Sequence, residues 1–97
     1  MPEIIVIAHN IRSTHNVGSI FRTCEGFGVK EIILSGYTPY PKHDGDARLP
    51  HLAEKITRQI HKTALGAEKF VPFKYHPTLD LASLKRAGFR IVGSGAG

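Results

Sequence analysis

The sequence predicts an α/β fold, a mainly parallel sheet with flanking helices, and three observations carry that expectation. Ile4 to Ala8 and Glu31 to Ser35 are short runs rich in β-branched residues, the pattern of strands buried on both faces. Between them, apolar residues at Val17, Ile20, Phe21 and Cys24 follow the helical period. The same alternation of strand-like and helix-like segments recurs to the end of the chain, as crossover-connected parallel strands require.

Taken in order, Ile4 to Ala8 is the first strand, and the polar stretch His9 to His15 leads from it into a helix that Gly28 stops by supplying a left-handed residue. Glu31 to Ser35 is the second strand. Gly36 to Arg48, with its glycines, prolines and aromatic Tyr37 and Tyr40, reads as a long loop. Apolar residues at Leu52, Ile56, Ile60 and Ala64 recur every four positions and predict one or two short helices, interrupted near Gly66. Phe70 to Tyr75 is a third strand in which Pro72, unable to donate to a ladder, predicts an edge or bulged position. A helix capped by Thr78 or Asp80 and stopped by Gly88 precedes a fourth strand, Phe89 to Val92. Residues 1–92 are thus expected to form one unit and residues 93–97 a flexible Gly/Ser/Ala tail.

Composition bounds the function. With 97 residues there is room for a single small domain, and 41% hydrophobic against 22% charged residues supplies a core. Thirteen Lys and Arg against eight Asp and Glu leave +5, which favours polyanionic partners. One cysteine, Cys24, excludes an internal disulfide and a Cys-rich zinc site, and its place on the apolar helix face makes it a small core residue. No stretch approaches the ~20 apolar residues of a membrane helix and the N-terminus lacks a basic leader, so a cytoplasmic protein without a membrane span is expected. His43, Asp44, Asp46 and His51 have no spacing of a known metal site, and no metal is expected.

The segment richest in chemistry is Asn10-Ile11-Arg12-Ser13-Thr14-His15-Asn16-Val17-Gly18-Ser19-Ile20-Phe21-Arg22-Thr23, which leaves the first strand and enters the first helix. Ligands of open α/β sheets bind at strand carboxyl ends. A helix N-terminus with its unpaired N–H groups suits a phosphate or ribose oxygen, and Arg12 and Arg22 offer bidentate cations. With Val17, Ile20, Phe21 and Cys24 turned inward, Gly18, Ser19, Arg22 and Glu25 lie outward, and the bare Gly18 would clear space beside Arg22 one turn on. The plainer alternative is that Asn16 or Thr14 caps the helix and Arg22 is a solvated surface residue.

That string, together with I-x-L-S-G-Y-T-P after it and K-T-A-L-G-A-E at Lys62 to Glu68, resembles the first motif and downstream landmarks of the SpoU-type (SPOUT superfamily) RNA 2'-O-ribose methyltransferases over residues 4–92. The resemblance implies methylation of tRNA or rRNA with S-adenosyl-L-methionine by a homodimer. Carried over position by position, it implies catalytic roles for Asn16 and Arg22 and substrate contacts for Asn10, Arg12, Ser19 and Gly18. A guanidinium is a poor base, so Arg22 is expected to hold phosphate and stabilise alkoxide charge. The family's later motifs, which build the cofactor pocket, the C-terminal trefoil knot and much of the dimer face, have no counterpart after Val92. An incomplete fold, with no cofactor-binding residues of its own and inactive alone, is therefore expected. A non-catalytic RNA-binding or interaction module that kept the first motif is the competing reading. Lys42, Arg48, Tyr37 and Tyr40 of the long loop could add charge and stacking to an RNA surface, or the loop could be solvated and mobile. The Lys62 to Glu68 landmark is expected to pack small residues against the sheet.

Overall fold

A computed structural model of the chain describes residues 4–79 and 90–94. Strand β1 spans Ile5–His9, helix α1 Thr14–Gly26, strand β2 Glu31–Ser35, helix α2 Pro50–Ala64, strand β3 Phe73–His76 and strand β4 Arg90–Ser94, with a 3-10 turn at Ala67–Lys69. All neighbouring strands pair in parallel, in the order β3-β2-β1-β4. The expected α/β architecture is what forms. Strand β2 has the expected bounds, and β3 lies at the sheet edge, as Pro72 predicts. The predicted helix from Thr78 or Asp80 falls largely outside the described residues.

Several boundaries move for identifiable reasons. Strand β1 runs on to His9, opposite Ser35 of β2, where the His9 ring nitrogen Nδ1 lies 2.8 Å from the Ser35 hydroxyl. Strand β3 starts at Phe73 because Val71 N donates back to Ala67 O, which keeps residues 70 and 71 in a turn. Strand β4 includes Gly93 and Ser94, which the sequence reading assigns to the tail. Ala8 opposes Val92 while His9 opposes Ser94, so Gly93 is the extra residue of a bulge.

Helix α1 ends as its sequence predicts. Gly28 has φ +66°, Val29 N donates to Cys24 O and Gly28 N to Glu25 O, so the last carbonyls are satisfied by the paired bonds of a Schellman turn. Helix α2 is one continuous element, begun by Pro50 at its first position, where a missing N–H costs nothing. Its inward stripe is Ala53, Ile60 and Ala64 with Ile56 partly covered, whereas Leu52 is exposed.

Both helices cover one face of the sheet, where Ala8, Ile32 and Leu34 meet Val17, Phe21 and Cys24 of α1 and Ile60 and Ala64 of α2. Phe21 is fully buried and packs edge-on against Phe73 at 5.6 Å. Burying a side chain of that size contributes roughly 2–3 kcal/mol. Burial raises the Cys24 thiol above its ordinary range, as suits a core residue.

Where the helices cross, the contact residue is Gly18. A Cβ there would run into the Thr63 hydroxyl and the Ile60 carbonyl, with Ala64 N at 2.9 Å. The Thr63 hydroxyl donates to His15 O at 2.8 Å, tying the crossing together. The Lys62 to Glu68 landmark is the end of α2 and the turn after it: Thr63 and Ala64 pack on Gly18 of α1, and Ala64 and Ala67 lie in the core that includes the sheet residues Ala8, Ile32 and Leu34.

Beside α1, on the flank away from α2, Ile4, Val6, Ile20 and Phe27 line an open groove of about 550 Å³. Phe27 is 76% exposed and Ile4 50%. An apolar concavity of this kind favours association. The purified chain is expected to self-associate at tens of micromolar (an order-of-magnitude range, since standard interfaces span micromolar to picomolar affinity), and Phe27→Ser to reduce it. Sedimentation velocity checks this; a monomer at every concentration contradicts it.

Candidate nucleic-acid interface

The strand order turns back between β1 and β4: the chain steps outward from β1 to β2 to β3, then returns to the opposite side of β1. The crevice outside the carboxyl ends of strands at such a reversal is where open α/β sheets bind ligands. The loop that leaves β1 there is the motif segment.

This loop is held at successive residues. Asn10 takes a left-handed conformation, φ 54°, which asparagine tolerates better than most residues. Its N–H donates to Ser35 O at 3.1 Å, and its side-chain Oδ1 accepts from Tyr37 N at 3.2 Å. Gly36 has φ +67°, and a Cβ on it would collide with that Oδ1, so the turn requires glycine on two counts. Ile11 is buried, and its N–H donates to the Thr38 hydroxyl at 3.0 Å. Thr38, 2% exposed, directs its own proton toward Ser35 O at 2.7 Å with Ala8 O at 3.2 Å alongside. One buried hydroxyl thus joins the ends of β1 and β2 to the start of the motif.

Helix α1 is capped by Ser13, whose hydroxyl accepts from Asn16 N at 3.1 Å. Neither Thr14 nor Asn16 serves as the cap, so the plainer reading of Asn16 does not hold as stated. The first turn carries no acidic residue to offset its partial positive charge. Arg12 is exposed between the buried Ile11 and the cap, its Cζ 5.7 Å from the Tyr37 ring centroid.

Asn10 and Arg12 lie on the loop that leaves β1 and Asn16 in the first turn of α1, whereas Arg22 lies further along the helix. Arg22 lies eight residues beyond Thr14, roughly 12 Å along the axis, and about 120° around it from Asn16. It is exposed, with no ion-pair partner among the described residues. The expected open space at Gly18 is filled by α2, so this glycine acts by letting two helices touch rather than by clearing room for Arg22. Ser19 donates its hydroxyl proton to His15 O at 3.1 Å and lines the apolar groove, away from the loop.

The long loop is tethered. Arg48 and Asp46 form a two-point ion pair whose side chains are 16% and 5% exposed, and Arg48 also donates to Pro41 O at 3.2 Å. Hydrogen bonds from Arg48 hold the Asp46 carboxyl far below the usual carboxylate range. The Arg48 guanidinium lies 3.6 Å over the Tyr40 ring, whose ring in turn stacks on Tyr75 at 4.0 Å. Lys42 N bonds the Thr57 hydroxyl of α2 at 2.8 Å. Of the loop's four proposed contacts, Arg48 and Tyr40 are engaged internally, Lys42 approaches Glu54 at 3.5 Å, and Tyr37 stays 50% exposed. Among the described residues no three metal-ligating side chains converge, and no helix is long and apolar enough to cross a membrane.

Ser35, Gly36 and Thr38 fall in the I-x-L-S-G-Y-T-P landmark but are assigned no site role from sequence, and His9 is unmarked. Their signal was present in Ser35-Gly36-Tyr37-Thr38, small polar residues after a strand, but which backbone groups they meet depends on the pairing of β1 with β2.

Among the described residues, the groove beside α1 is lined almost entirely by carbon, with hydroxyls from Ser19 and Thr23 and no carboxylate of the kind that holds the ribose hydroxyls of S-adenosyl-L-methionine.

The chain is similar to known RNA methyltransferases. The chain is 29% identical over 97 residues to a 23S rRNA (guanosine-2'-O-)-methyltransferase of Nitrosomonas europaea, matching 98% of this chain and 32% of that protein. It is 32% identical to an uncharacterized tRNA/rRNA methyltransferase of Synechocystis sp., covering 97% of this chain and 21% of the relative. It is 27% identical to a tRNA (guanosine(18)-2'-O)-methyltransferase of Aquifex aeolicus, covering 95% and 37%. A crystal structure of an rRNA methyltransferase from Sinorhizobium meliloti superposes with a TM-score of 0.57 at 26% identity, over 88% of this chain and 27% of that one. The chain thus spans about a fifth to about a third of the length of the curated relatives it matches. The model of the SpoU rRNA Methylase family matches residues 3–96, and the chain belongs to that family.

Proposed function

We propose that the chain is the N-terminal, RNA-facing part of a cytoplasmic RNA 2'-O-ribose methyltransferase that acts on tRNA or rRNA with S-adenosyl-L-methionine. The observation that carries this is the placement of the motif loop: Asn10, Arg12 and the α1 N-terminus lie at the switch point of the sheet, in a chain whose net charge is +5. In this reading Arg12 and the first turn of α1 hold backbone phosphate, while Asn16 and the Asn10 amide N–H groups orient the ribose. Arg22 stabilises the charge that grows on the 2'-oxygen as it loses its proton. Because Arg22 is set apart from the loop, the reacting ribose lies in a site completed by residues outside this chain, supplied by further polypeptide or by a second copy in a homodimer. The methyl donor binds to those outside residues, and this chain alone is inactive.

The chain by itself is expected to bind RNA, with affinity falling steeply with salt, and to show no saturable uptake of S-adenosyl-L-methionine in a calorimetric titration. A longer protein carrying the family's remaining segments is expected to transfer labelled methyl groups to RNA and leave an alkali-resistant linkage at the modified ribose. Saturable micromolar cofactor binding by the 97-residue chain would overturn the division of labour. Labelling on a base instead of a ribose would overturn the reaction. RNA binding with no methyl transfer by the longer protein would favour a non-catalytic RNA-binding module.

A further inference from the structure

We propose that Tyr37 is a stacking platform for an unpaired base of the RNA, with Arg12 beside it on the adjoining phosphate; this rests on the reading of the strand ends as an RNA face. Two tyrosines stand in the loop after β2, and the structure treats them differently. Tyr40 has Arg48 at 3.6 Å on one side and Tyr75 at 4.0 Å on the other, so a base has no face to occupy. Tyr37 is 50% exposed, and among the described residues its one ring contact is with the Arg12 guanidinium at 5.7 Å.

The ring stands on a backbone that is fixed from both sides. Tyr37 N donates to Asn10 Oδ1 at 3.2 Å, the preceding carbonyl of Gly36 accepts from the Tyr75 hydroxyl at 2.6 Å, and the following Thr38 is buried with its hydroxyl fully engaged. Exposed aromatic area on a rigid support loses little freedom when something stacks on it. Its position at the β2 carboxyl end, one residue from the Asn10 clasp, puts it beside the loop that carries Arg12 and the α1 N-terminus. An aromatic ring next to a guanidinium matches what a single strand presents, a base face joined to a phosphate. A duplex hides its base faces, so the platform selects unpaired nucleotides.

The test is fluorescence anisotropy with the full chain, a labelled single-stranded oligoribonucleotide, and a duplex of the same sequence. Tyr37→Ala and Tyr37→Leu are expected to weaken single-strand binding roughly 5- to 100-fold, the range alanine substitution gives for base–aromatic stacking. Tyr37→Phe is expected to stay within about threefold, because the π-face is kept. Duplex binding is expected to change little in all three, and Arg12→Ala to reduce the salt slope by about one. Urea midpoints like the parent's show that the half-exposed position leaves the fold intact. If the parent binds single strands and Tyr37→Ala binds them equally, the platform is wrong and the RNA face stands. If the parent binds neither RNA, the RNA face itself is wrong and the platform falls with it.

Discussion

Replacing Gly18 by valine is expected to destabilise the chain by roughly 3 kcal/mol or more, a large part of the 5–15 kcal/mol that small domains possess. In most helix interiors, alanine in place of glycine stabilises by about 0.5–1 kcal/mol through backbone entropy. Gly18 reverses the sign because its Cα faces the backbone of α2. The collision with the Ile60 carbonyl, and the contact with Ala64 N at 2.9 Å, involve backbone and cannot be relieved by a rotamer change, so the helices must separate. Separation opens the packing of Phe21 and Ile60, both fully buried, and breaks the bond from Thr63 to His15 O. Gly18→Ala is expected to cost about 2 kcal/mol, part of the clash being offset by the better helix former. Gly26→Ala in the same helix, where a Cβ meets nothing within 4 Å, is the matched control and should stabilise slightly. Thr63→Ala should not rescue Gly18→Val, since the carbonyl contact remains. Urea midpoints at constant m-value measure all four; a destabilisation of Gly18→Val below about 1 kcal/mol contradicts the close crossing.

That glycine shows where sequence reasoning stops. Periodicity placed Gly18 outside the main apolar stripe of α1, and no local pattern says that a second helix crosses there. The partner residue Thr63 is 45 positions away in sequence, and only the tertiary packing joins them. Asn10 is similar: its residue type and its place after a strand marked it as a site residue, but its bond to Tyr37 N needs β1 and β2 paired in register. Local features were legible for local reasons. The Gly28 stop follows from backbone conformation alone, and strand β2 from a short β-branched run bounded by charge and glycine. The proposed functional location was legible because strand, polar loop and helix follow one another directly in sequence. A role for Arg22 is implied only by the resemblance; its distance from Asn16 follows from helix geometry, which the motif spacing contains.

The second large effect concerns Arg22. In a longer protein carrying the remaining family segments, Arg22→Ala is expected to slow methyl transfer about a hundredfold, the consequence of removing one transition-state charge donor worth roughly 3 kcal/mol. Stability should stay within about 0.5 kcal/mol of the parent, because Arg22 is exposed and has no ion-pair partner among the described residues. Arg22→Lys should recover little, as an ammonium lacks the planar fork that grips two oxygens. Arg12→Ala, by contrast, should weaken RNA binding and leave the rate at saturating RNA nearly unchanged, since a phosphate contact binds ground state and transition state alike.

The most direct measurement is therefore single-turnover methylation at saturating S-adenosyl-L-methionine and RNA, run with a melting curve for the parent, Arg22→Ala and Arg12→Ala. A hundredfold slower step for Arg22→Ala with an unchanged melting temperature, beside a near-parental step for Arg12→Ala, is the result expected if Arg22 serves the chemistry and the motif loop binds the substrate. Near-parental turnover for Arg22→Ala, or a loss that follows unfolding, would contradict it and make Arg22 a surface residue of the fold.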